Sequence, residues 1–391
     1  IALMKAQSDK LAERGIDAAA VNRALSERER REAMRRIMAA EANFIFTTPE
    51  QLATPAFVKK LKANPIDLFV VDVAHCITQW GHDFRPAYAG LGAALRALGN
   101  PTLLALTATA TPDVIEDIAR QLGRPRMRVL NAGVYRPNLY FEVLQITNEA
   151  EKKQALLEVV RSGGAGIVYC ATVRAAKEVH AWLGKQGVKA ELYHGRLGGR
   201  ERTERQEAFM SGKARTMVAT NAFGMGIDRQ DIRYVVHYQL PGSLEAYYQE
   251  AGRAGRDGKD ARCTLLYDHA DRRVQLYFSR KRSKVELLAA YARGAQCRWK
   301  MILEYFDEEV EVGDECGACD NCVQRKGDAS AITLKMKAQP PRLKKGDAVR
   351  VPKYGRGTVA EVHDDRIAVS FAGGETREFA PRYVVPVSSR S

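Results

Sequence analysis

The chain alternates between a helical and a strand-like spacing of apolar residues, and the switches between them mark its elements. Ala2 to Arg14 reads as a helix, Asn43 to Phe46 as a strand, and Asp67 to Val73 as a buried strand. Thr102 to Leu106 is a further strand, and a helix follows from Pro112 to Leu122. The order β-α-β-α with near-continuous apolar strands predicts a parallel sheet covered on both faces. A second block repeats that grammar from about 143 to 282. Its strands are Ala165 to Tyr169, Ala190 to Tyr193, Thr216 to Ala219, Tyr234 to Tyr238 and Cys263 to Tyr267, with helices between. Two such blocks, joined near Asn131 to Asn138, leave a cleft at the carboxyl ends of parallel strands, where α/β folds bind ligands. From about 283 the pattern turns helical, and Gln324 to Leu343 has little periodicity and reads as a linker. The last stretch is all-β. Gly346 to Val351, Gly357 to Val362, Arg366 to Phe371 and Thr376 to Phe379 alternate between Gly and Asp turns, as in a small barrel.

Composition narrows this picture. A length of 391 residues suits two or three domains, and a 46% hydrophobic fraction excludes global disorder. The longest apolar runs, such as Ile66 to Val73, are strand length, well short of the roughly 20 residues a membrane span needs. No signal peptide is visible, and the chain opens at Ile1 inside what reads as a continuing element, the expectation for a fragment. The net charge of +14 favours a polyanionic partner without requiring one. Of seven cysteines, Cys76, Cys170 and Cys263 are isolated and the other four cluster. That usage fits a reducing cytoplasm with a metal site rather than a disulfide scaffold.

Four stretches carry chemistry. Val70-Val-Asp-Val-Ala-His75 is an apolar strand ending in an aspartate, the way nucleotide-hydrolysing α/β domains present a magnesium ligand. The loop behind it holds Trp80, His82, Phe84 and Tyr88 with Arg85 among them, groups that stack on unpaired bases. In the second block, Ala219-Thr-Asn-Ala-Phe-Gly-Met-Gly-Ile-Asp228 places glycines in a loop after a strand. Gln249-Glu-Ala-Gly-Arg-Ala-Gly-Arg256 sets Arg253 and Arg256 three apart, able to stabilise charge on a transferring phosphoryl group. Finally, Cys297, Cys316, Cys319 and Cys322 have the spacing of a closed tetrahedral zinc site. Arg293, Arg298 and Lys300 beside them fit DNA phosphate contacts and a solvated helix face equally well.

In this order the motifs resemble those of the RecQ family of superfamily 2 DNA helicases, from Ile1 to about Cys322. Ile1-Ala-Leu-Met-Lys5 looks like the end of motif Ia, Thr47-Thr-Pro-Glu-Gln-Leu52 like Ib, and Asp72-Val-Ala-His75 stands at motif II. Thr107-Ala-Thr-Ala-Thr111 looks like motif III, Ile167-Val-Tyr-Cys170 and Tyr193-His-Gly195 like motif IV and its surroundings, and the two second-block runs like V and VI. The resemblance implies two RecA-like domains, translocation on single-stranded DNA driven by ATP and magnesium, 3′-to-5′ unwinding, and work in DNA repair and recombination at the bacterial nucleoid. It implies catalytic roles for Asp72, His75, Gln249, Arg253 and Arg256, and nucleotide contacts from Asp72, Gly226, Asp228, Arg253 and Arg256. DNA contacts fall to Thr48, Trp80, His82, Phe84, Arg85, Tyr88 and Thr220, on single-stranded or partly duplex DNA. The family's zinc module stands where the four cysteines do.

Three departures follow. No G-x-x-x-x-G-K-[ST] phosphate loop occurs in the sequence, so tight nucleotide binding is not expected. The motif II glutamate, which polarises the attacking water, is replaced by Val73, and loss of such a group typically lowers rates roughly 10²–10⁴-fold. In place of the family's winged-helix and HRDC domains, Leu343 to Val359 resembles the Tudor-like tail of UvrD-type helicases, a barrel that binds protein or nucleic acid. The expected organisation is an incomplete first RecA-like domain over 1–135, a second over 136–282, a zinc module over 283–325, a linker over 326–342 and a barrel over 343–391. The expected function is a RecQ-type helicase fragment, inactive alone. A non-catalytic DNA-binding scaffold is the rival, and a zinc-dependent transcription factor leaves two thirds of the chain unexplained.

Overall fold

The computed structural model describes residues 2–78, 85–108, 110–131, 133–224, 227–278, 282–308, 315–327, 343–351, 355–363, 366–371, 374–379 and 384–386. They fall into two units, Ile1–Gln324 and Arg325–Ser391.

The first unit begins with α1 (Ala2–Ala12), β1 (Ala18–Val21), α2 (Glu27–Met38), β2 (Phe44–Thr47), α3 (Pro49–Leu52), α4 (Pro55–Leu61), β3 (Leu68–Val71), α5 (Leu91–Ala97), β4 (Thr102–Ala105) and α6 (Pro112–Gln121). β1 pairs with β2 and β3 with β4, both parallel, with Val21 opposite Thr47 and Val71 opposite Ala105. Val21, Ile37, Leu61, Val71, Leu95 and Ile118 meet in one core on one side of these strands. The other side differs from the sequence expectation. Leu68 and Val70 on β3 are 51% and 49% exposed, and Leu104 and Leu106, in and just after β4, are 41% and 44% exposed. Alternate residues of a short parallel strand point to opposite faces, so this side lacks the cover that parallel sheets ordinarily have. Neither β1 nor α2 stands out in the sequence. β1 is Ala18-Ala-Ala-Val21, and α2 is mostly charged, anchored by the Ser26–Glu29 capping box.

The second block is β5 (Leu139–Gln145), α7 (Glu149–Arg161), β6 (Ala165–Tyr169), α8 (Val173–Lys185), β7 (Ala190–Tyr193), α9 (Gly199–Met210), β8 (Thr216–Ala219), β9 (Ile232–His237), α10 (Leu244–Ala251) and β10 (Ala261–Tyr267). All six strands are parallel, in the order β5-β10-β9-β6-β8-β7. Successive residues feed opposite cores. Ile167, Tyr169, Met217 and Ala219 enter one, and Val168, Cys170 and Val218 enter the other. Both faces are therefore covered, which is why β6 and the Met217, Val218 and Ala219 run of β8 are apolar throughout.

Helices α11 (His269–Phe278), α12 (Arg282–Arg293), α13 (Arg298–Tyr305) and α14 (Asp320–Gly327) follow. They do not build a core of their own. Trp299, Ile302, Cys297, Cys319 and Cys322 join the cluster that contains Leu139 and Phe141 of β5. Trp299 packs edge-on against Phe141, and its indole N–H donates to the Leu139 carbonyl at 3.1 Å.

The second unit is an antiparallel sheet of β11 (Ala348–Val351), β12 (Gly355–Val362), β13 (Ile367–Phe371), β14 (Thr376–Phe379) and β15 (Val385–Pro386), ordered β14-β13-β12-β11-β15. Val349, Val359, Ile367, Val369 and Val384 form its core. Gly357 is required there, because a Cβ would lie 2.5 Å from Val369 Cγ1 and 2.8 Å from the Ser370 carbonyl oxygen.

Candidate nucleotide cleft, zinc centre and nucleic-acid interface

β3 ends at Val71, and the chain turns sharply through Asp72 and Val73. The turn is fixed by backbone bonds, from Ala74 N to the Leu106 carbonyl at 2.8 Å and from Cys76 N to the Val73 carbonyl at 3.0 Å. Val73 pays for it with φ 56° and ψ 43°, a left-handed conformation unfavourable to a β-branched residue. Asp72 is exposed at the strand's carboxyl end, and its Oδ1 accepts from Val73 N at 2.9 Å. His75 is buried, with Nδ1 2.8 Å from Thr107 Oγ1. The residues resembling motifs II and III thus touch.

From the second block, Gln249 in α10 reaches His75, its Nε2 lying 3.5 Å from His75 Nε2. Arg253, just beyond α10, donates to the Gly224 carbonyl, and its buried Nε has no acceptor among the described residues. A Cβ at Gly224 would stand 2.8 Å from Arg253 Nη2, so a side chain there would displace that guanidinium. Behind Arg253, the buried His237 contacts Glu250 Oε2 at 2.9 Å and stacks on Tyr169, whose hydroxyl donates to the Phe223 carbonyl. Arg256 Nη1 lies 3.2 Å from Asp228 Oδ1, and Lys10 Nζ of the first block lies 2.8 Å from Asp228 Oδ2. Lys10 first, and Arg256 after it, hold the Asp228 carboxyl below its ordinary range. Gly226 lies outside the described residues.

As a nucleotide site this set is partial. Asp72 can hold magnesium and Arg253 and Arg256 can face phosphate, yet no G-x-x-x-x-G-K-[ST] run occurs in the sequence to cradle phosphates, and Val73 cannot orient water.

Among the expected DNA contacts, Trp80, His82 and Phe84 lie outside the described residues. Arg85 is half-buried, and its backbone N–H donates to the Cys76 carbonyl at 3.0 Å. Tyr88 is half-buried against the first core, with its hydroxyl 3.5 Å from the Asp72 carbonyl. Burial pushes its phenol up to about 12. Thr48 stands at the N-cap position of α3, without a side-chain capping bond, at the carboxyl end of β2, and Thr220 follows β8, its N–H donating to the Tyr193 carbonyl at 3.1 Å.

A feature the sequence reading passed over lies beside Thr220. α9 starts at Gly198 with no side-chain cap, and Cβ atoms added at Gly198 or Gly199 would meet open space. Its free amides and dipole favour an anion. His194, four residues earlier, is 2% exposed, and neither ring nitrogen meets a hydrogen-bond partner of good geometry among the described residues. Burial first, then the charge of Lys177, holds its imidazole below the ordinary histidine range. The signal available in the sequence was the glycine-rich run His194-Gly-Arg-Leu-Gly-Gly199 before a helix.

The four Sγ atoms of Cys297, Cys316, Cys319 and Cys322 all lie within 4.8 Å of one another, and those of Cys316 and Cys322 are 3.9 Å apart. Zinc–sulfur bonds of about 2.3 Å put tetrahedral thiolates about 3.8 Å apart, so the set fits zinc with shifts of about 1 Å or less. Backbone N–H groups of Arg298, Cys316 and Ala318 donate to Sγ of Cys319, Cys297 and Cys316 at 3.3–3.4 Å, as they do to metal-bound thiolates. A hydrogen bond from the Cys316 thiol, with such amides, draws Cys319 toward thiolate. Arg298, left open between DNA contact and solvated face, is neither. It is buried and paired with Asp320.

Comparison with known proteins shows the family likeness of the chain. Residues 1–118 match the family model described as DEAD/DEAH box helicase, 151–258 the helicase conserved C-terminal domain, and 268–323 the RecQ zinc-binding model. The ATP-dependent DNA helicase RecQ of Bacillus subtilis is 39% identical over 339 residues, covering 83% of this chain and 56% of that protein. RecQ of Pasteurella multocida is 33% identical over 333 residues, covering 83% and 52%. The chain thus spans about half the length of these relatives. Among solved structures, the helicase Lhr of Mycobacterium smegmatis bound to ssDNA and AMP-PNP shares the fold at TM-score 0.54 and 20% identity, over 72% of this chain and 41% of that one. Dbp5 of S. cerevisiae bound to RNA and ADP BeF3 does so at TM-score 0.52 and 21% identity, over 69% and 68%.

Proposed function

The chain belongs to the RecQ family of helicases, and from that premise we propose that it is the greater part of a motor that unwinds DNA 3′ to 5′ by hydrolysing ATP. The observation that carries this reading is the contact of His75 with Gln249, which joins motif-like segments of two separate α/β blocks, with Thr107 behind. A motor that converts phosphoryl transfer into movement needs such a seam. In this reading Asp72 holds magnesium, and Arg253 and Arg256 face the γ-phosphate. Thr48, Thr220 and the amino end of α9 hold the backbone of a single strand, which fits the net charge of +14. Its setting is recombination and repair at the bacterial nucleoid. The division at 135, 282, 325 and 342 follows the sequence reading, with a Tudor-like terminal barrel that binds protein or nucleic acid.

The chain alone is inactive in this reading. The missing phosphate loop and Val73 support that, and so does the uncovered apolar face of β3 and β4, which suits a further α/β segment. Val73 also favours a second reading, a pseudo-helicase that keeps the DNA surface as a scaffold. Phosphate release, measured with and without single-stranded DNA, separates the two. Three proteins are compared: residues 1–391, the same chain extended upstream through a phosphate loop, and the extended chain with Val73→Glu. Turnover should be absent in the first, and DNA-stimulated only in the third. Robust turnover by the first would overturn the assignment of the site, and a silent third would favour the scaffold.

A further inference from the structure

Asp228 receives a cation from each block. Lys10, in the last turn of α1, lies 2.8 Å from Oδ2, and Arg256 lies 3.2 Å from Oδ1. We propose that Lys10, Asp228 and Arg256 form an ionic latch across the seam between the two blocks, tightened when Arg256 leaves the carboxylate.

The reasoning is electrostatic. The two cations share one carboxylate, so each weakens the other's hold through mutual repulsion. Arg256 belongs to the same block as Asp228 and contributes nothing to closure, whereas the Lys10 pair crosses the seam. If a phosphate draws Arg256 away, Asp228 is left to Lys10 alone and the crossing pair strengthens. Only this last step rests on the reading of Arg256 as a phosphate contact. The pair is largely exposed, with side chains 66% and 45% accessible, so it biases an equilibrium and yields to salt. That is what a motor needs at a seam that must open every cycle.

The test uses the whole chain without nucleotide or DNA, so its failure is separate from failure of the helicase reading. Donor and acceptor dyes, attached through unnatural amino acids, replace the exposed Arg30 of α2 and Lys185 of α8. Lys10→Gln should raise the open population about two- to fivefold, and Lys10→Glu further. Arg256→Gln should lower it, mimicking departure of that cation. Lys10→Glu combined with Asp228→Lys should return it toward the parent value. Raising salt should move the parent and leave Lys10→Gln unmoved. Circular-dichroism melts identify any misfolded variant, and the conservative Lys10→Gln decides in that case. Folded Lys10 variants with unchanged energy transfer, or an Arg256→Gln protein more open than the parent, would overturn the proposal.

Discussion

Arg298 and Asp320 form a two-armed ion pair inside the protein, Nε to Oδ1 at 2.8 Å and Nη2 to Oδ2 at 2.9 Å. Each follows a zinc-site cysteine directly, Arg298 after Cys297 and Asp320 after Cys319. Asp320 Oδ2 also accepts from Val143 N of β5 at 2.9 Å, so the pair ties the cysteine cluster to the edge of the six-stranded sheet. Removing one member of a buried pair strands the other, at a cost of about 3–5 kcal/mol. Asp320→Ala should therefore lower the urea midpoint strongly and loosen zinc, while Asp320→Asn, which can still accept from Val143, should do less. An unchanged midpoint for Asp320→Ala would show that the pair holds nothing.

Zinc itself should account for much of the stability nearby. Metal affinity at such a site is folding free energy, and three of its four cysteines are buried in the main core. One zinc per chain is expected by elemental analysis. Cys316→Ser should lower both metal content and melting temperature, and a chelator should do the same to the parent. A chain purified without chelators that folds normally and carries no metal would refute this.

How much of this was legible in the sequence depends on how each residue is covered. Five strands of the second block, β6 to β10, read at or near their places because both faces are buried, leaving an apolar signal that turns cannot imitate, whereas β5, interrupted by Glu142 and Gln145, was missed. The cysteine spacing was equally plain, since ligands two residues apart serve little else. The first block was harder. β1 is three alanines and a valine, and α2 owes its helix to Ser26, Glu29 and a few apolar contacts, not to a strong apolar stripe. Arg298 was ambiguous because its partner lies 22 residues away, where no local pattern reaches. His194 stands in the run Tyr193-His-Gly195, but its burial is a tertiary effect that no local pattern shows.

That burial makes a pH prediction. The His194 imidazole is held below its ordinary value near 6.5, so the folded state refuses a proton that the unfolded state accepts. Stability from this group is full above about pH 6.5 and falls as pH drops toward the depressed folded value. His194→Gln, which does not titrate, should flatten that limb of the melting-temperature curve. An anion seated at the start of α9 should also shallow it in the parent, by favouring the charged ring. Identical acid limbs in parent and His194→Gln would remove His194 from the account.

Val73 concentrates two separate costs in one side chain. Its φ of 56° and ψ of 43° place a β-branched residue in the left-handed region, which costs L-residues roughly 1–2 kcal/mol. The surrounding backbone bonds to Leu106 and Cys76 hold the turn whatever the side chain, so a substitution should change strain and leave geometry alone. Val73→Asn, suited to that region, should raise the melting temperature by about 1–3 °C. Val73→Glu also removes the branch and should keep part of that gain. Stability and chemistry then separate cleanly. Asn relieves the turn without supplying a proton acceptor, so in the upstream-extended protein it should melt higher yet stay without turnover, whereas Glu should restore turnover. Equal phosphate release from the Asn and Glu proteins would mean that water activation does not reside at position 73, and a lower melting point for Asn would mean that the turn is not strained.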